Sequence, residues 1–194
     1  MGEIVAAVGT CHTPYMFTRP PDENPQQLDA AGAAMRELGK VLDETKPDVI
    51  VFFGSDHVET FSVTCVPTFA IIAGNRAIAR FAGREHTLPV HREMAEDLLS
   101  KLVVDHNFDL AYSEDAELGH AFSIPFEYVI GGRNIPVIPF FANVYMPPLP
   151  TPRRWCCTSR TTTRTSGGPR RRGERPPKPC RGRSCASWSA TPPT

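Results

Sequence analysis

Residues 46–61 read KPDVIVFFGSDHVETF, and the fold turns on how that stretch is interpreted. DVIVFFG is a nearly continuous, β-branched and aromatic run closed by a glycine, the pattern of a strand covered on both faces. Asp56, His57 and Glu59 follow at once, in what should be the loop past its carboxyl end. The N-terminal EIVAAVG has the same form and is expected to be the first strand, with GTCHTPY placing His12 just beyond it. Between the two runs, Asn24 and Pro25 make a cap and a first helical residue, and Pro47 stops the helix they begin. Leu28, Ala31, Met35, Leu38 and Leu42 recur at helical spacing and mark its apolar face.

Farther on, SVTCVPTFAII is another extended run, and FDLAY and IPVIPFFAN are two more strand candidates. Pro89 is expected to open a second helix with Val90, Met94, Leu98 and Leu102 on its buried side. Strands alternating with helices imply an α/β fold with a largely parallel central sheet flanked by helices. In such sheets, chemistry gathers at the carboxyl ends of the strands.

The formal net charge of zero conceals a division. Residues 1–152 hold 10 Lys and Arg against 20 Asp and Glu, whereas residues 153–194 hold 11 against 1. An acidic body argues against nucleic acid as its partner, and no apolar run approaches the roughly 20 residues that span a bilayer. Cys11 and Cys65, far apart in the body, do not make a disulfide framework, and the N-terminus lacks the pattern of a secretory signal. A cytoplasmic protein is the expectation.

His12 and His57 stand at matching strand ends, and neutral imidazole is the commonest metal ligand. Either residue alone is better explained as a loop histidine satisfied by backbone. Together they favour one shared ion, with Asp56 or Glu59 orienting a ring or adding an oxygen. His120, in AELGHAFSIPFEYV, falls after the FDLAY strand at a helix entrance. There it suits an acid–base or hydrogen-bonding role, or simply a helix cap. His91 and His106 are expected at the solvated surface, and His86 stays unassigned.

At this point four blocks carry a resemblance: GTCHTPY (residues 9–15), KPDVIVFFGSDHVETFSVTCVPTFAI (46–71), GHAFSIPFEY (119–128) and IPVIPFFANVYMPPLPTPRR (135–154). In order and spacing they resemble the class III extradiol ring-cleavage dioxygenases, in particular the protocatechuate 4,5-dioxygenase beta-chain group. The resemblance implies meta-cleavage of a catecholic ring by O₂ with a non-haem Fe(II) cofactor. It implies His12 and His57 as iron ligands, His120 as the residue beside substrate and oxygen, and Pro14, Tyr15 and Phe17 as pocket wall or core. It also implies a homo-oligomer or a small alpha subunit as partner, with no nucleic acid and no membrane. The substrate is left open among catechols and aminophenols.

The pattern departs from that family after about Arg154. The family's further active-site histidine and the glutamate that completes its iron site have no counterpart here, and Glu174, alone in RRRGERPPK, does not match the latter. Residues 1–154 are therefore expected to be the N-terminal portion of the enzyme subunit. Residues 155–194 are expected to be a disordered tail, since they contain no Leu, Ile, Val, Phe or Met to bury against their ordering entropy. The Arg-rich composition suggests GC-rich DNA read out of frame. Cys156, Cys157, Cys180 and Cys185 lack the spacing of a zinc site. Two other readings stay open: an inactive fragment that keeps the histidine pair, and a non-catalytic binding module of the same fold.

Overall fold

The computed structural model describes residues 2–147 and 149–151. Residues 155–194, with Glu174 and the four tail cysteines, lie outside them. The described chain is mixed α/β, a sheet flanked by helices. A four-stranded sheet has the order β1 (Ile50–Asp56), β7 (Val137–Asn143), β2 (Phe69–Ile72), β5 (Ala111–Ser113). Pairings β1–β7 and β2–β5 are parallel, and β2–β7 is antiparallel. DVIVFFG, FDLAY and IPVIPFFAN thus contribute strands where expected.

β7 is buried along its whole length and separates two cores. Val137 and Phe141 face one core with Ala70, Ile72, Phe122 and Phe126, while Ile138, Phe140 and Ala142 face the other with Phe69, Ile71 and Phe108. This period-2 division explains the unbroken apolar runs, since both faces of the strand are covered.

Helix α1 (Tyr15–Thr18) is a single turn, and α2 (Pro25–Thr45) is the long helix anticipated from its cap. Asn24 accepts from the backbone N–H of Gln26 and Gln27, satisfying two of the otherwise orphaned donors. The inward face is Gly32, Met35, Gly39 and Leu42, so Leu38 is left outside. The cause is close packing: a Cβ on Gly39 would lie 2.4 Å from the carbonyl oxygen of Val129. Helix α3 (Arg92–Ser100) starts after Pro89 rather than at it, capped by the His91 ring, and buries Ala95 while Met94 is exposed. His106 is exposed, as expected.

Two larger features also differ from the sequence reading. Residues 2–13 form no strand, and Ile4, Val5 and Val8 are exposed. EIVAAVG needs a ladder partner and cover on both faces, and among the described residues β1 carries no second neighbour. A second sheet, unanticipated, pairs β3 (Arg76–Phe81) with β4 (Arg84–Pro89) and β6 (Glu117–Leu118). The β3–β4 hairpin turns through Ala82 and Gly83, both at positive φ (49° and 76°), as a two-residue turn requires. An Ala at the first of these positions hides the usual Asn-Gly signal.

Helix α4 (His120–Pro125) runs into a π-helical segment, Phe126–Ile130, and lies on the β1 side of the first core. Its approach to β1 depends on Gly54, where a Cβ would stand 2.5 Å from Cζ of Phe122. Phe122 cannot withdraw, being fully buried against Phe52 and Phe141 with ring centroids 5.0 and 4.7 Å away. Gly54→Ala should therefore cost about 1–3 kcal/mol through overpacking. Urea unfolding measures this, and an unchanged midpoint would contradict the packing account.

Candidate metal centre

Three imidazoles meet beyond the carboxyl end of β1. His57 follows that strand directly, His12 arrives from the loop before α1, and His120 is the first residue of α4. One ring nitrogen from each falls within 4.8 Å of the others. His12 Nε2 and His57 Nε2 are 3.0 Å apart, and the His120 ring centroid lies 4.3 Å from that of His57 and 5.8 Å from that of His12. His12 thus reaches the cluster even though the strand expected to carry it is absent among the described residues.

The surroundings hold each ring. Ser55 Oγ lies 2.9 Å from His57 Nε2 and 3.4 Å from His12 Nε2. Glu59 embraces His120: both carboxylate oxygens are 2.8 Å from Nδ1, and Oε2 also accepts the His120 backbone N–H at 2.8 Å. The carboxylate fits because residue 119 is glycine, since a Cβ there would stand 1.8 Å from Glu59 Oε2. Of the two carboxylates considered from sequence, Glu59 is the one that orients a ring. Asp56 is buried and caps the loop instead, accepting from the N–H of Thr60 and Phe61.

Val58 takes up a left-handed conformation, φ 63°, between His57 and Glu59. For a β-branched residue that backbone is strained, and strain of this kind concentrates at functional sites. It allows side chains two positions apart both to reach His120. Phe81 closes one side, its ring 5.0 Å from that of His120.

Tyr145, whose hydroxyl lies 2.7 Å from His57 Nδ1, and Ser55 were not singled out from sequence. Tyr145 follows the carboxyl end of β7, so the strand-end rule that found His12 and His57 points to it as well. The remaining candidates stay outside the cluster. His86 lies 3.3 Å from Glu127, Phe17 is core, Tyr15 is exposed, and Pro14 caps α1.

Burial lowers the pKa of His12 and of His57 below the ordinary 6.5, and the proximity of His120 lowers both further. Neutral imidazoles with available lone pairs are what a cation needs. Distance also fits: two nitrogens bonded to one ion at about 2.1 Å and a right angle stand about 3.0 Å apart. An N–H···N hydrogen bond suits the same separation when one ring carries its proton there.

A histidine-rich, carboxylate-supported centre at the strand ends of an α/β sheet is the class of site this geometry defines. The family described as the catalytic LigB subunit of aromatic ring-opening dioxygenase matches residues 6–156, and the chain belongs to it. A 2,3-dihydroxyphenylpropionate/2,3-dihydroxicinnamic acid 1,2-dioxygenase of Klebsiella pneumoniae (strain 342) is 31% identical over 140 residues, 72% of this chain and 44% of the relative. A second enzyme of that name from Pseudomonas putida is 31% identical over 131 residues, 67% of this chain and 41% of its own length. The matched segment spans less than half the length of these curated relatives. Among the described residues, no helix is long and apolar enough to cross a membrane.

Because the folded state depresses the pKa of His12 and His57, it binds fewer protons than the unfolded chain once the pH falls below 6.5. These two residues leave stability unchanged above that value and reduce it progressively below. The His12→Ala/His57→Ala double variant should lose part of the acid sensitivity in pH-dependent thermal melts of the metal-free chain. Parallel curves for the two proteins would contradict the assignment.

Proposed function

We propose that the chain is part of a non-haem Fe(II)-dependent, extradiol ring-cleaving dioxygenase that acts on a catecholic compound with O₂ in aromatic degradation in the cytoplasm. His12 and His57 hold the iron, and His120 is the acid–base residue. The observation that carries this reading is the convergence of three imidazoles, two of them favoured as neutral, on one point beyond β1. Membership of the ring-opening dioxygenase family and the dioxygenase names of the relatives support it.

When bound, Fe(II) would supply an electrophilic centre able to chelate both hydroxyls of a catechol and bring the ring beside O₂. The chain's own residues supply the rest. Glu59 takes the Nδ1 proton of His120 in a hydrogen bond, which leaves Nε2 to exchange a proton with a substrate hydroxyl. Phe81 gives that side of the site an apolar wall. Glu59 and Asp56 are both engaged elsewhere, so the carboxylate expected in a two-His, one-carboxylate set comes, on this proposal, from outside the described residues. On the same proposal, a homo-oligomeric partner or a small alpha subunit supplies closure around the substrate.

The test is anaerobic Fe(II) titration of the full chain, followed by O₂ uptake with a panel of catechols and detection of the yellow ring-opened product. His12→Ala and His57→Ala should each abolish Fe(II) binding. His120→Ala should retain iron and lose turnover by about 10²–10⁴-fold. Loss of iron from His120→Ala would instead make His120 a third ligand, and wild-type affinity in all three variants would refute the site. Iron bound without turnover would identify a chain that keeps the histidine pair but not the activity.

A further inference from the structure

The cluster is held from the outside at a point that the function above does not use. His57 has two ring nitrogens in different surroundings. Nε2 faces inward, toward Ser55 Oγ at 2.9 Å and His12 Nε2 at 3.0 Å. Nδ1 faces outward, 2.7 Å from the hydroxyl of Tyr145, whose ring centroid is 5.1 Å from that of His57.

Tyr145 is placed by the sheet. In the β1–β7 register Asp56 pairs with Asn143, so the chain leaves both strands side by side. Asn143 is only 2% exposed, and its backbone N–H donates to the Thr68 carbonyl. Its side-chain Oδ1 accepts from the backbone N–H of Tyr145 at 3.1 Å and of Met146 at 3.0 Å, and its Nδ2 donates to the Met146 carbonyl. A buried amide that makes three hydrogen bonds to the backbone fixes the turn that carries the tyrosine, so the contact with His57 is built from the core outward.

We propose that Tyr145 is a positioning residue that holds His57 in the Nδ1–H tautomer. In this arrangement the imidazole donates from Nδ1 to the tyrosine oxygen. The phenolic proton is left for solvent, which the 54% exposure of Tyr145 permits. Nε2 then keeps its lone pair for the interior, where the Ser55 hydroxyl can donate to it until a cation arrives. In the opposite tautomer the tyrosine would donate to Nδ1, and His57 would present an N–H to His12 and block the ligand position. A partner on the outer nitrogen is how ligating histidines are generally oriented, and losing it commonly costs about 10–100-fold in metal affinity. The metal consequence rests on the ligand role proposed for His57; the tautomer does not.

The experiment separates the two. Long-range ¹H–¹⁵N spectra of the metal-free, ¹⁵N-histidine-labelled full chain above pH 7 report which nitrogen of His57 is protonated. Wild type should show protonated Nδ1 and bare Nε2, and Tyr145→Phe should shift His57 toward the Nε2–H form, with its cluster neighbours His12 and His120 responding and the histidines outside the cluster keeping their signals. Fe(II) titration of both proteins should then show weaker binding by Tyr145→Phe, by about 10–100-fold. Protonated Nε2 in wild type overturns the proposal whether or not the variant folds, and so does an unchanged tautomer in a folded Tyr145→Phe chain. Failure of wild type to bind Fe(II), with the tautomer as stated, overturns the metal reading and leaves the positioning role standing.

Discussion

The parallel pairing of β1 with β7 is the constraint on which the other features depend. It runs in register from Ile50↔Val137 to Asp56↔Asn143. It buries β7 along its whole length between two cores and aligns two strand ends, so that the loops after them emerge together. His57 comes from one loop and Tyr145 from the other, and α4 crosses over them at the distance set by Gly54 and Phe122. A slip by one residue would exchange the two faces of every strand position and dismantle site and core together.

Around the cluster the electrostatics are divided between inside and outside. Among the described residues, the centre is faced by imidazole nitrogens, the Ser55 hydroxyl and the Phe81 ring, and burial favours the neutral form of His12 and His57. Behind the rings stand the polar anchors, Glu59 on His120 and Tyr145 on His57. Such an interior is poorly suited to hold protons and well suited to receive a cation, while the anchors fix the direction in which the lone pairs point.

Much of this was legible in the sequence for a physical reason. Strands buried on both faces leave continuous apolar runs, and DVIVFFG and IPVIPFFAN are where that signal is strongest. Asn24-Pro25 announced α2 because capping is a local matter. The strand-end rule pointed to His57, which does follow β1, and to His12, which no strand precedes among the described residues; the motif order indicated the family to which the chain belongs. EIVAAVG failed as a strand because pairing depends on a neighbour that a local pattern cannot supply. The β3–β4 hairpin escaped because its turn uses Ala82, which has no visible preference for positive φ. The links from Glu59 to His120 and from Tyr145 to His57 join residues 61 and 88 positions apart, and a single sequence contains no signal for such contacts.

The central claim is that His12 and His57 hold a metal ion in common. The most direct measurement is a crystal of the full chain soaked anaerobically with Fe(II), with data collected on either side of the iron absorption edge. The account predicts one anomalous peak within bonding distance of Nε2 of both His12 and His57. A peak bonded to neither, or none in crystals where the two rings keep their native places, would contradict it.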